Sequence, residues 1–305
     1  MPSKIKLTFL GTASQVPTIK RNHTAILLTH NEENILVDCG EGTQRQFRIA
    51  KLNPCKVTKI LITHLHGDHT LGLPGFLETL SFSGFTKTID IYGPKGIKEF
   101  VQNVLRTFKF HREYEINVHE VFKEGNFFEN KDFELSSMKL EHGTPCNGYC
   151  FLKKGYLRID KAKMKKLGLP AGKHLKELKE GKDITHEGKK FKSKDLVYSE
   201  DEKKICFILD TLYLKDIVNF VNGADVLVSE ATFMSDSPVG SEHAKEYKHM
   251  TAKQAGSIAK QAKVKKLFLT HLSQRYEYKK KLILDEAKKE FKHVQVAKDL
   301  DVVEI

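Results

Sequence analysis

The sequence predicts a layered α/β fold with helices packed on sheets, and three observations predict it. Short apolar runs rich in β-branched residues recur along the chain, amphipathic helical patterns lie between them, and 305 residues with 40% hydrophobic content can fill a sizeable core. The apolar runs place strands at Lys4–Gly11, Thr24–Leu28, Ile35–Asp38, Lys59–Thr63, Ile89–Tyr92, Cys206–Leu209, Val226–Ser229 and Leu267–Leu269. After the KILIT run, LGLPGFLETLSF has helical character. Gly96–Phe108 then aligns Ile97, Phe100, Val101, Val104, Leu105 and Phe108 on one stripe, the signature of a helix lying on a core. The Phe-rich strings FKFHREYEINVHEVF and GNFFENKDF read as sheet packing rather than base stacking. ELSSMKLE is a further strand, and the closing KKKLILDEAKKEFK is an amphipathic helix with a solvated Lys face. Six strands end directly in polar residues: Gly11-Thr12, Asp38, Thr63-His64, Asp210, Ser229-Glu230 and Thr270-His271. Rigid strand ends with free loops behind them are where layered α/β folds build their sites.

No run approaches the ~20 apolar residues of a membrane span. The opening MPSKIKLTFLG lacks the apolar stretch and cleavage site of a secretory signal, so a cytoplasmic protein is expected. The five cysteines are odd in number, form no CxxC pair and sit mostly in apolar runs, which reads as reduced thiols rather than a disulfide framework. Lys and Arg number 51 against 39 Asp and Glu, a net charge of +12, and an enzyme this basic usually meets a polyanion. The surplus is uneven. Residues 151–200 hold 15 Lys and Arg against 7 Asp and Glu, around a GLPAG turn and the short helical HLKELKEGKDI. This stretch reads as a basic insert in a single domain spanning 1–305, against the plainer reading of a solvated loop.

Thr63-His64-Leu65-His66-Gly67-Asp68-His69 is the most informative string. Three imidazoles and a carboxylate within six residues, at a strand end and with Gly67 allowing a sharp turn, present ligands in two directions at once. That suits two adjacent metals. The string is too short of ligands for two ions, and other strand ends supply the rest: His142 after ELSSMKLE, Asp210 after CFIL and His271 after LFLT. Singly, each has a plain reading, such as a helix N-cap for Asp210 or a surface residue for either His. Together they complete two sites. His64, His66 and His142 hold one ion, Asp68, His69 and His271 the other, and Asp210 is able to bridge. Nitrogen and oxygen ligands without thiolate point to two Zn2+ ions, with Mn2+ or Fe2+ as substitutes. His23, His30, His111, His119, His174, His186, His243 and His293 lack partners at metal spacing and read as surface or core residues.

The HLHGDH string with its later His, Asp and His resembles the metallo-β-lactamase superfamily, whose fold is an αββα sandwich. Within it, FLGTASQVPT, DCGEGTQRQ, SEATF, HMTA and THLSQRY resemble the short tRNase Z family of tRNA 3′-processing endoribonucleases, over nearly the whole chain. The resemblance implies that Glu230 in SEATF and His249 in HMTA form a pair that positions a proton for the leaving oxygen, although Ser229 stands where the family has His. It implies that the loop carrying Lys20, Arg21 and Asn22 faces the tRNA, with the Lys shifted one place from the family pattern. It further implies that the basic insert is a tRNA-gripping arm, that the products are tRNA with a 3′-hydroxyl and a trailer with a 5′-phosphate, and that precursor tRNA is the partner. A homodimer is the expected assembly.

Phosphodiester hydrolysis needs a nucleophile at neutral pH, charge relief on the phosphate and a proton for the departing oxygen; two metals supply the first two. Asp68 is assigned as general base, and His249, oriented by Glu230, as the acid. The rival enzyme is a thioester or lactone hydrolase of the same fold, since metal ligands alone do not separate a carbonyl from a phosphate. The rival from another class is an RNA-binding protein with structural metals, against which stands a thiolate-free ligand set with room for water.

Overall fold

The computed structural model describes residues 4–109, 111–237 and 240–305. The start of the opening string and Phe110 of the Phe-rich string lie outside the described residues. In chain order the strands of the first half are β1 (Ile5–Gly11), β2 (Ala25–His30), β3 (Glu33–Val37), β4 (Lys59–Leu61), β5 (Ile89–Gly93) and β6 (Ile116–Glu120). The second half holds β7 (Gly125–Glu129), β8 (Phe133–Leu140), β9 (Cys146–Lys153), β10 (Tyr156–Ile159), β11 (Ile184–His186), β12 (Lys189–Phe191), β13 (Val197–Glu200), β14 (Lys203–Ile208), β15 (Val226–Glu230), β16 (Lys266–Thr270), β17 (Val294–Val296) and β18 (Val302–Glu304). They make two seven-stranded sheets, ordered β18-β1-β2-β3-β4-β5-β6 and β17-β16-β15-β14-β9-β8-β7, and two small two-stranded ribbons. Each large sheet is antiparallel on one side and parallel on the other, so the parallel runs β3 to β6 and β14 to β17 carry their C-terminal ends to a common edge.

Period-2 alternation stacks these sheets. In β14, Ile205 and Phe207 point to one apolar cluster while Cys206 and Ile208 point to another; in β16, Phe268 opposes Leu267 and Leu269 in the same way. The shared inner cluster joins Ile5, Leu7 and Phe9 of β1 to Phe133, Tyr149, Phe207 and Phe268 of the second sheet. Two outer clusters lie beneath helices. The first-sheet cluster takes in Phe47, Phe76, Leu77, Ile97 and Val101 from α1 (Thr43–Ile49), α3 (Leu73–Phe82) and α4 (Ile97–Thr107), with the short α2 (Gly67–Thr70) between. The arrangement is an αββα sandwich with both sheet faces covered, which is why its parallel strands read as continuous apolar runs. The aromatic strings do pack sheets: Phe133 stacks on Phe128 and Phe151, with ring centroids 5.4 and 5.0 Å apart.

Between β9 and β14 the chain makes an excursion. Residues 151–153 belong to β9, and Lys153 pairs with Lys203 of β14, so the excursion leaves and rejoins neighbouring strands. Within it, β10 pairs with β13, and the elements α5 (Lys161–Lys166), α6 (Leu175–Lys179) and α7 (Ser193–Leu196) gather Leu169, Leu178, Ile184, Phe191 and Leu196 into a core of their own. The second sheet is covered by α8 (Asp216–Phe220), α10 (Ala252–Gln261) and α11 (Lys280–Glu290), with α9 (Gly240–Glu246) between α8 and α10 in the chain.

One expectation is corrected, and one plain reading falls away. Cys150 and Cys206 form a disulfide, because they sit directly opposite one another on β9 and β14 with Cα atoms 4.1 Å apart; Cys39, Cys55 and Cys146 are free. Asp210 caps no helix, since α8 begins only at Asp216 with Lys215 before it.

Candidate metal centre and active site

The polar strand ends converge. Thr63 and His64 follow β4, His142 follows β8, Asp210 follows β14, Glu230 ends β15, and His271 follows β16. Gly67 opens α2, which delivers Asp68 and His69 from its single turn. Asp38, Asp210 and His271 hold left-handed backbone with φ between 47° and 57°, sparsely populated for side-chain-bearing residues and tolerated only where the surroundings over-determine it.

Ring nitrogens and carboxylate oxygens meet in two groups. His64 Nε2 and His142 Nε2 approach His66 Nδ1 at 3.0 and 3.1 Å. His69 Nε2 lies 3.2 Å from His271 Nε2, and Asp68 Oδ2 lies 3.2 and 3.4 Å from His271 and His69. Asp210 stands between the groups. Its Oδ1 is 3.5 and 3.3 Å from His69 and His271, and its Oδ2 is 3.7 and 3.8 Å from His64 and His142. All seven residues expected as ligands are therefore brought together, in the two sets and with the shared carboxylate that their spacing implied. Among the described residues, none of the eight histidines read as bystanders joins a ligand-like group.

The outer hydrogen bonds test whether cations fit. His142 Nδ1 meets the Lys248 carbonyl at 2.9 Å, an acceptor-only partner that requires the proton on Nδ1. His69 Nδ1 meets the Asp38 carboxylate at 2.6 Å. His271 Nδ1 meets Thr232 Oγ1 at 2.9 Å, and that hydroxyl donates onward to Glu230 at 2.5 Å. In each case the proton is held outside and the inner Nε2 presents a lone pair. Lone pairs thus face one another and face Asp68 and Asp210, while Asp210 Oδ1 is buried without a hydrogen-bond partner. Such a set repels itself until a cation sits among the donors, and the hydrogen bonds behind the rings are those that orient metal-binding imidazoles.

His249 belongs to a different arrangement. Its Nδ1 lies 3.0 Å from Glu230 Oε2, and Glu230 Oε1 accepts the Thr211 N–H at 2.6 Å, leaving the carboxylate fully buried and fixed. Burial disfavours the imidazolium, but the Glu230 charge and then Asp210 outweigh it and raise the His249 pKa to about 9. A protonated His249, with Nδ1 spent on Glu230, has Nε2–H to offer to the cleft. That cleft, of about 400 Å³, is lined by His66, Asp68, His142, Asp210, His249 and His271 together with Val16, Phe233, Tyr247 and Arg275.

Sequence reasoning missed the residues behind the ligands. Asp38 receives His69 and is itself bound by the Thr63 N–H at 2.7 Å and the Thr63 hydroxyl. The signal was present, for Asp38 is the polar end of an apolar strand inside DCGEGTQRQ. That string is a scaffold: a side chain on Gly40 would strike the Asp68 carbonyl at 2.4 Å, Gly42 turns the chain at φ 77°, and Thr43 bonds back to Gly40. Thr232 likewise joins His271 to Glu230.

Of the three residues expected to face substrate, Arg21 is corrected. It is buried, its Nη1 bonding Thr12 Oγ1 at 2.5 Å and the Ala297 carbonyl at 2.8 Å, because the inward turn satisfies both the guanidinium and the loop. Asn22 donates its side-chain amide to the Glu41 carbonyl at 2.6 Å and its backbone N–H to Asp299. Lys20 is exposed, its ammonium 5.1 Å above the Tyr278 ring. Arg21 and Asn22 thus shape the loop that displays Lys20.

A family profile described as anti-Pycsar protein Apyc1 matches residues 5–146, under half of the chain. Ribonuclease Z of Methanothermobacter thermautotrophicus is 39% identical over 303 residues, covering 99% of this chain and 97% of its own. Ribonuclease Z of Bacillus cereus is also 39% identical, over 97% of this chain and 98% of its own. Among solved structures, human tRNase Z, short form, superposes with a TM-score of 0.71 at 28% identity and covers 98% of each chain. The metallo-β-lactamase fold protein YhfI of Bacillus subtilis, at 20% identity and a TM-score of 0.69, shares the fold.

Proposed function

The chain belongs to the ribonuclease Z family, and on that premise we propose how it works: it is a metal-dependent endoribonuclease that processes the 3′ end of tRNA, cutting precursor tRNA and releasing the trailer. The observation that carries the reading is the shared Asp210 between two inward-facing donor sets, with the His249–Glu230 pair beside it in one cleft. The thioester or lactone alternative is not favoured, because relatives along nearly the whole chain are ribonucleases.

We assign His64, His66 and His142 to one ion and Asp68, His69 and His271 to the other, with Asp210 shared and zinc as the metal the nitrogen and oxygen donors suit. When bound, the ions offset charge on the phosphate and make water nucleophilic at neutral pH. Asp68, at the cleft floor, takes the proton of the attacking water. Water oxygen bonds to phosphorus as the bond from phosphorus to the 3′ oxygen breaks, and His249 hands its Nε2 proton to that oxygen. The tRNA therefore keeps a 3′-hydroxyl and the trailer leaves with a 5′-phosphate. Glu230 and Thr232 hold His249 and His271 in register. Lys20 meets the acceptor end, and the excursion between β9 and β14 grips the tRNA at a distance, the excess of eight Lys and Arg over Asp and Glu in residues 151–200 supplying the attraction; a homodimer in the cytoplasm is the working assembly.

Incubating the zinc-loaded protein with an unprocessed tRNA carrying a 3′ trailer, and mapping both new ends, tests the reading. A single cut after the acceptor stem with those two termini is expected. Intact precursor at full zinc loading would sink it.

A further inference from the structure

A groove outside the cleft, about 630 Å³, lies between α11 and β17, the free edge strand of the second sheet. Its floor is apolar, from Leu267, Phe268, Val294 and Val296, while its rim carries Lys266, Lys280, Lys281, Lys288, Lys292 and Lys298. All six lysines are exposed, and among the described residues none of them is in an ion pair, whereas the neighbouring Lys265 and Lys289 are paired to Asp225 and Asp236. One carboxylate, Asp301, lines the groove, and it accepts the Lys298 backbone N–H at 2.9 Å.

Lysines also guard free sheet edges against pairing with another chain. That role covers Lys266 and Lys298, which flank β16 and β17. It does not cover the other four, which lie along α11 and just past its end. Lys280, Lys281 and Lys288 lie within α11 and Lys292 stands two residues past it, all four lining the groove. Holding six unneutralised ammonium groups around one concavity is unfavourable without an anion to share them. Along α11, Lys280 and Lys288 stand roughly 12 Å apart, long enough for successive phosphates.

We propose that this groove binds the phosphodiester backbone of RNA, as a contact surface separate from both the cleavage site and the excursion between β9 and β14. The choice of RNA over other polyanions rests on the reading of the chain as a tRNA-processing enzyme. Three places in the sheet separate β17 from β14, so the groove and the excursion address different parts of a bound RNA.

The test is binding of fluorescently labelled precursor tRNA across a salt series to the full zinc-loaded chain and to a triple variant, Lys280→Ser with Lys288→Ser and Lys292→Ser. Each lost phosphate contact removes about 0.7–0.9 from the slope of log K against log salt, so a flattening of about 2 to 2.7 is expected, with affinity at physiological salt down on the order of tenfold. The corresponding triple Lys→Arg variant should restore the slope, which a folding defect would not allow. Hydrolysis of bis(4-nitrophenyl) phosphate should stay at the parent rate in both. An unchanged slope overturns the proposal, as does loss of binding to phosphatidylserine vesicles with RNA binding intact, which would mark a membrane-facing surface. Failure of the parent to cleave precursor tRNA would strike the enzymatic reading instead, while the slope comparison would still decide the groove.

Discussion

The site and the excursion between β9 and β14 are built on opposite principles. At the site, His64, His69, Asp210, Glu230 and His271 are almost wholly buried, and every outer ring nitrogen described above is tied to a fixed partner. In the excursion, five apolar side chains make a small core and the charge stands outside, with helix α5 burying no residue at all. Chemistry that depends on tenths of an ångström is placed where two sheets over-determine each side chain. On the proposed reading the excursion grips a polyanion, a task that needs reach and charge rather than precision, and a miniature core beside two-stranded ribbons suits it.

The sharpest way to break this division is at the shared carboxylate. Asp210→Ala, or chelation of the parent, should abolish cleavage of precursor tRNA and of a small phosphodiester alike, with metal content falling in step by elemental analysis. Full activity in the variant would remove Asp210 from the ligand set.

Next comes the proton. His249→Ala should slow cleavage by about 10²–10⁴-fold with metal retained, the usual worth of general acid catalysis. Glu230→Gln sharpens the point. The Glu230 charge favours the imidazolium and is what lifts the pKa to about 9; without it burial prevails and the pKa falls. The alkaline limb of the pH–rate profile should therefore move to lower pH, and a limb that stays in place would dissociate His249 from that step.

A smaller effect is expected one bond farther out. Asp38→Asn keeps the size of the residue but weakens its hold on His69, and losing such a partner typically costs 10–100-fold in metal affinity. Competition with a chelator would measure it. Parent affinity in the variant would reduce Asp38 to a strand terminator.

The smallest effect on chemistry should come from removing the excursion altogether. Because Lys153 and Lys203 are direct strand partners, residues 156–200 can be replaced by a short Gly/Ser turn that closes β9 and β14 as a hairpin. Small-phosphodiester hydrolysis should be unchanged, while precursor-tRNA binding weakens and loses about 0.7–0.9 of salt slope per phosphate contact. Lost metal or lost small-substrate turnover would show that the two regions are not separable.

Much of this was legible in the residues. Eight apolar runs foretold eight strands because burial on both faces leaves an unbroken β-branched run, and HLHGDH declared its chemistry because four ionisable groups at a strand end have no satisfactory reading without a cation. His142, Asp210 and His271 were found by one rule, that polar residues closing apolar strands face the site. The same rule pointed at Asp38 but assigned it no role, since a carboxylate behind a ligand and one beside a ligand look alike along the chain. Tertiary structure alone decided that Arg21 turns inward, that Cys150 meets Cys206, and that the Lys face of α11 borders a groove. Each depends on what lies across a gap of many residues: Ala297 for Arg21, the β9–β14 register for the cysteines, the free edge of β17 for the lysines. Local sequence sets period, polarity and turn chemistry because those act between neighbours. Pairing and approach between distant segments come only from how the two sheets close on each other.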